Sequence, residues 1–166
     1  MDFTNLYNKQ RELDHYIETK HGLQEKDLLN QKLLAFHVEV AELANETRCF
    51  KFWSEKAPSS DSVILEEYVD GIHFILSVGL EFGYENIVSI DLLPENKKSG
   101  EDLVPYFYDV IEAVSSLRLN GAEKKYITLF QSYLKLGSAL GFTEQDIIFA
   151  YEEKNKVNHT RQDQGY

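Results

Sequence analysis

The segment Val63-Ile64-Leu65-Glu66-Glu67-Tyr68-Val69-Asp70-Gly71-Ile72-His73-Phe74-Ile75-Leu76-Ser77-Val78 decides the fold. At 100° per residue, Leu65, Val69, Ile72 and Leu76 fall within about 40° of one another and form one apolar stripe. Val63, Phe74 and Val78 form a second stripe on nearly the opposite side. A helix apolar on two sides is buried on two sides, so neighbours are expected against both. It should begin after an Asp61 or Ser62 cap and end near Gly83. Glu66, Glu67, Asp70 and His73 interrupt it, so it is no membrane span.

The same helical rhythm runs through the rest of the chain, without sustained alternation of apolar and polar residues. Phe3, Leu6, Tyr7, Leu13, Tyr16 and Ile17 mark a first helix that stops at Gly22. Leu29, Leu33, Phe36, Val40 and Leu43 mark a second, from about Asp27 to Arg48. Lys51 to Ser60 reads as a loop broken at Pro58-Ser59-Ser60. Ile87 to Leu93 is expected to form one short turn closed by Pro94, and Glu95 to Glu101 to be polar and flexible. A helix marked by Tyr106 to Leu117 ends at Asn120-Gly121, and another, from Tyr126 to Leu140, ends at Gly141. Thr143 and Asp146 resemble a capping box opening the last helix, which runs through Tyr151. Arg161 to Tyr166 is expected to be irregular. The fold class is all-α, one helical bundle over residues 1–166.

Lys+Arg number 17 and Asp+Glu 28, so the 166 residues carry 17 − 28 = −11. That charge, with a pI near 4.9, argues against generic binding to nucleic acid or to an anionic membrane. At 43% hydrophobic, the chain is too apolar for a disordered acidic tail. Cys49, the only cysteine, excludes an intramolecular disulfide and any multi-cysteine zinc site. Met1-Asp2-Phe3-Thr4-Asn5 lacks the basic start and apolar run of a signal peptide, so a cytoplasmic domain is expected.

Acids stand where apolar residues belong. Glu67 and Asp70 lie beside Phe74 on the second stripe, three residues apart and on neighbouring turns. On the second helix Glu39, Glu42 and Glu46 share a strip about 60° wide beside the apolar one. Two readings stand: a solvated flank paired with Lys or Arg, or two acidic pairs converging on a metal. Neither helix offers cations at suitable positions, since Arg48 and Lys51 lie only at the end of the second. Carboxylate oxygens favour a hard divalent ion, Mg²⁺ or Mn²⁺, over Zn²⁺. His37 and His73 leave a transition metal open, and Asp70 with His73 also suits di-iron chemistry. The second helix has no matching Glu-x-x-His, so a non-ligand histidine is the preferred reading for both. A hard ion held by acids most often handles phosphate.

Four segments resemble the all-α dimeric dUTP pyrophosphatases (dUTPases), relatives of the MazG-type nucleotide pyrophosphohydrolases. They are Gln10-x-x-Leu13-Asp14; Glu39-x-x-Glu42 with Phe50-Lys51-Phe52-Trp53; Glu66-Glu67-x-x-Asp70-x-x-His73-Phe74; and Tyr151-x-x-Lys154-Asn155-x-x-Asn158-x-x-Arg161-Gln162-x-x-Gly165-Tyr166. The resemblance implies a homodimer that hydrolyses dUTP, and dUDP, to dUMP. It implies that Glu39, Glu42, Glu67 and Asp70 hold Mg²⁺, with Mn²⁺ as a substitute, and that Glu42 leads as the group orienting or deprotonating water. Gln10 and Trp53 would contact the uracil, His73 the deoxyribose and Asn158 the nucleoside. Lys154 and Arg161 would contact phosphates, and Lys51 either a phosphate or a structural partner. A closing tail at about 159–166 is expected, and family members run on where this sequence stops.

Plainer readings stay beside these. A sole Trp is as often a buried anchor as a base platform. Basic residues near a helix C-terminus need no ligand. Three other functions remain open: a MazG-like enzyme for another nucleotide such as dCTP, a helical module binding a protein regulator, and a di-metal oxidase.

Overall fold

A computed structural model of the chain describes residues 2–87, 90 and 95–165. Among them are six α-helices and no strand: α1 (Thr4–His21), α2 (Leu29–Thr47), α3 (Asp61–Phe82), α4 (Val104–Asn120), α5 (Glu123–Leu140) and α6 (Glu144–Asp163). A short 3₁₀ turn, Gly100–Leu103, leads into α4. The turn expected over Ile87 to Leu93 falls mostly outside the described residues. None of the described helices is long and apolar enough to cross a membrane.

α3 is the hub. It packs against α1, α2, α5 and α6, while α4 joins α2 and α5. From Tyr68 to Gly79 only Asp70 and Phe74 keep partial access to solvent, as a helix apolar on two sides requires. Val63 is the exception to the second stripe: near the first turn it lies beyond the neighbours and stays 38% exposed. Close approach to α5 depends on glycine. Tyr133 donates its hydroxyl to Tyr68 O (2.8 Å), and Tyr68 returns the bond to Tyr133 O (3.1 Å). Their rings stack with centroids 4.6 Å apart. A Cβ at Gly71 would stand 2.0 Å from the Tyr133 hydroxyl, so no other residue fits there without displacement.

The helix stops at Gly22, Gly83, Gly121 and Gly141 are all left-handed caps. The Thr143 and Asp146 capping box forms in both directions. α3 departs from expectation at its start: Ser60 is the extended cap residue, and Asp61 already lies inside the first turn. Two further departures have tertiary causes. Glu95 to Ser99 precedes the 3₁₀ turn and is tied to α5, with Glu95 N–H donating to Ser138 Oγ and Lys98 N–H to Ala139 O. α6 runs on to Asp163, where irregular chain is expected from Arg161. Tyr16 and His21 of α1 hold Asp163 and Gln162 by side-chain hydrogen bonds.

Candidate active site

α2 and α3 run antiparallel, with Lys32 beside Glu81 at one end and Glu46 beside Ser59 at the other. Between these ends, Glu39, Glu67 and Asp70 each bring a carboxylate oxygen within 4.8 Å of the others. Glu46, which shares their strip on the sequence, is drawn away by Ser59. Glu42 stands exposed outside the tight set, although its charge acts on both Glu39 and Glu67.

Crowded carboxylates resist ionisation. Burial first, then Asp70, Glu42 and Glu67, push the Glu39 carboxyl up to about 7, with Lys154 pulling the other way. Burial, followed by Asp70 and Glu42, raises Glu67. Burial also raises Asp70, against the hydrogen bond it receives from Lys154. A set of hard oxygen donors, pressed together until one retains its proton near neutrality, fits a divalent cation. No histidine joins this set among the described residues. His37 is turned to Leu33 O of its own helix.

The cation missing from α2 and α3 comes from α6. Lys154 Nζ lies 2.7 Å from Asp70 Oδ2 and 2.8 Å from Glu66 Oε1, with its side chain only 10% exposed. The pairing of acids with a buried lysine is therefore real, but it reaches only the edge of the cluster.

Beside the acids lies a cleft of about 360 Å³ whose walls come from α1, α2, α3 and α6. Glu39, Asp70, Gln10, His73, Asn158 and Arg161 all line it. Gln10 is 3% exposed. Its Oε1 accepts from the Tyr151 hydroxyl (2.8 Å) and pairs with His73 Nδ1 (2.9 Å), while its Nε2 donates to Asp14 Oδ1 (2.7 Å). His73 stacks on Tyr151 with ring centroids 4.1 Å apart. Burial first, then the Lys154 charge, drive its imidazole down to about 3, so the ring is neutral at physiological pH. Its Nε2 is buried without a hydrogen-bond partner.

A family model described as dUTPase matches residues 2–166. The chain belongs to the dUTPase family. It is therefore a hydrolase that acts on dUTP, a dUTP diphosphatase built on an all-α fold. No curated protein matches the sequence.

For a dUTPase, three expected substrate residues do not line the cleft: Lys154, held beside it on Asp70, and Trp53 and Lys51. Trp53 is 64% exposed and sits edge-on to Phe50 and Phe52, with centroids 6.0 and 5.0 Å away. Lys51 places its ammonium 5.4 Å from the Phe50 ring centroid. Sequence reasoning also assigned no role to Asp14, Ser77 or Lys32, which line the same cleft beside Gln10. Asp14 Oδ2 accepts from Ser77 Oγ (2.5 Å) and Lys32 Nζ (3.3 Å). Asp14 follows Gln10 by four residues and Ser77 follows His73 by four, so helical spacing alone carried that signal.

Proposed function

We propose that this hydrolase cleaves dUTP with water to dUMP and pyrophosphate, accepts dUDP with release of phosphate, and depends on Mg²⁺, for which Mn²⁺ substitutes. Glu39, Glu67 and Asp70 hold the ion, and Glu42 stands at their rim. The observation that carries this reading is the convergence of three carboxylates from two helices, two of which, Glu39 and Asp70, line the cleft. When bound, the metal neutralises phosphate charge and acidifies an attacking water.

The side chains divide the remaining work. Glu42, exposed beside the set, orients the water and takes its proton. Lys154 and Arg161, both on α6, supply positive charge to the phosphates. Gln10 and Asn158 read the nucleoside in the cleft, and His73 approaches the sugar. Trp53 and Lys51 reach the substrate only if their loop, tied to Arg48 at Ser54 and Lys56, closes over the cleft. A homodimer is supported by Leu34 and Val38 on α2 with Tyr108, Ile111 and Leu119 on α4, all exposed on helices that pack together.

Pyrophosphate release measured over a panel of deoxynucleoside triphosphates, with and without chelator, tests this reading. We expect dUTP to be cleaved fastest and chelator to stop cleavage. Faster cleavage of dCTP, or full activity in chelator, overturns it.

A further inference from the structure

We propose that Asp14 is the positioning residue that fixes the amide of Gln10 and, through it, the tautomer of His73, so that the cleft offers the base an N–H donor. An ionised carboxylate only accepts hydrogen bonds. The Gln10 atom 2.7 Å from Asp14 Oδ1 must therefore be nitrogen. Asp14 itself cannot turn away, because Ser77 and Lys32 both donate to its other oxygen. A flipped Gln10 amide would set two acceptors face to face, a mismatch comparable to leaving a buried polar group unpaired.

The consequence passes to the histidine. With Gln10 Oε1 turned toward it, His73 Nδ1 must carry the proton. A neutral ring then has a bare Nε2, which agrees with that atom being buried without a partner. The Tyr151 hydroxyl occupies the second lone pair of Gln10 Oε1. What remains to Gln10 is one N–H, in a residue that lines the cleft. That N–H suits a ring carbonyl, as on uracil, and rejects an amino group at the same place, as on cytosine.

The base preference rests on the dUTP reading, whereas the amide and tautomer assignments do not. Long-range ¹H–¹⁵N correlation spectra of His73 near neutral pH test the latter directly. In the unmodified protein we expect the Nδ1–H tautomer. In Asp14→Asn the new amide turns its oxygen to Lys32 and its NH₂ to Gln10. Gln10 then flips, and His73 moves its proton to Nε2. The ratio of kcat/KM for dUTP over dCTP should fall at least about tenfold in that variant. Ser77→Ala, which keeps the carboxylate, should retain the original tautomer.

An Nε2–H tautomer in the unmodified protein overturns the proposal whatever the variants do, including a variant that fails to fold. So does an Asp14→Asn protein with the original tautomer. A switched tautomer with an unchanged ratio overturns the base-selection half. An Nδ1–H tautomer in a protein that cleaves no dUTP supports the lock and refutes the proposed function instead.

Discussion

Two acidic groups in this molecule have similar composition and opposite electrostatics. At one end of α3, Asp14, Glu18 and Glu81 all point at the ammonium of Lys32, which reaches each of them. Farther toward its N-terminus, Glu39, Glu67 and Asp70 face one another, and Lys154 touches only Asp70 of the three. In the first group the cation is central and ties α1, α2 and α3 together. In the second the cation is at the edge, and the Glu39 carboxyl is pushed up to about 7. The difference shows that the count of acids matters less than where the positive charge sits. A group already satisfied by lysine is a structural tie, while a group left repelling is suited to an ion from solution.

The sharpest way to break this contrast is Glu67→Gln. It removes one charge and one metal ligand while preserving shape. Turnover of dUTP should fall at least about 10³-fold. Thermal unfolding of the metal-free protein should hold steady or rise, because a repelled charge is gone. Normal turnover would remove Glu67 from the site.

Replacing the two lysines compares the groups directly. Lys32→Met leaves three carboxylates without their shared cation and should cost about 3 kcal/mol in denaturant unfolding. Lys154→Met should cost less, because of the three clustered acids it reaches only Asp70, and Mg²⁺ should restore that loss by relieving the same repulsion. A larger loss from Lys154→Met would erase the distinction between the two groups.

The smallest effect is a pH dependence. The Glu39 carboxyl stands at about 7 in the folded chain, against an ordinary value of 4.5. Between those values the folded chain holds a proton that the unfolded chain has released, so this group's contribution to stability falls as pH rises. Glu39→Gln lacks that loss. In chelator the variant should gain on the unmodified protein as pH increases across this window, and Mg²⁺ should abolish or reverse the gain. A constant difference across the window would contradict the crowding.

Most of the fold was legible in the sequence because its signals are local. The double stripe of α3, the glycine stops and the Thr143 capping box each involve residues within a few turns. The acids were legible for the same reason, as an excess of charge beside Phe74 and along one flank of α2. Their cation was not. Glu66 and Lys154 are 88 residues apart, and only the packing of α6 on α3 brings them together. The end of α6 was missed on similar grounds, since α1 holds it in helical form. Asp14 is a different case. Its spacing from Gln10 was visible, but its importance came from Ser77 and Lys32 on two other helices. Val63 shows the converse limit, because periodicity places a residue on a face without saying where the neighbouring helix ends.

Titration of the metal-free protein with Mn²⁺, followed by electron paramagnetic resonance without nucleotide, addresses the acid cluster most directly. The unmodified protein should immobilise Mn²⁺, Glu67→Gln should bind it at least about tenfold more weakly, and Glu81→Gln, which removes one acid of the lysine-centred group, should bind it unchanged. No immobilised ion in the unmodified protein, or equal binding by Glu67→Gln, would show that these three carboxylates do not form a cation site.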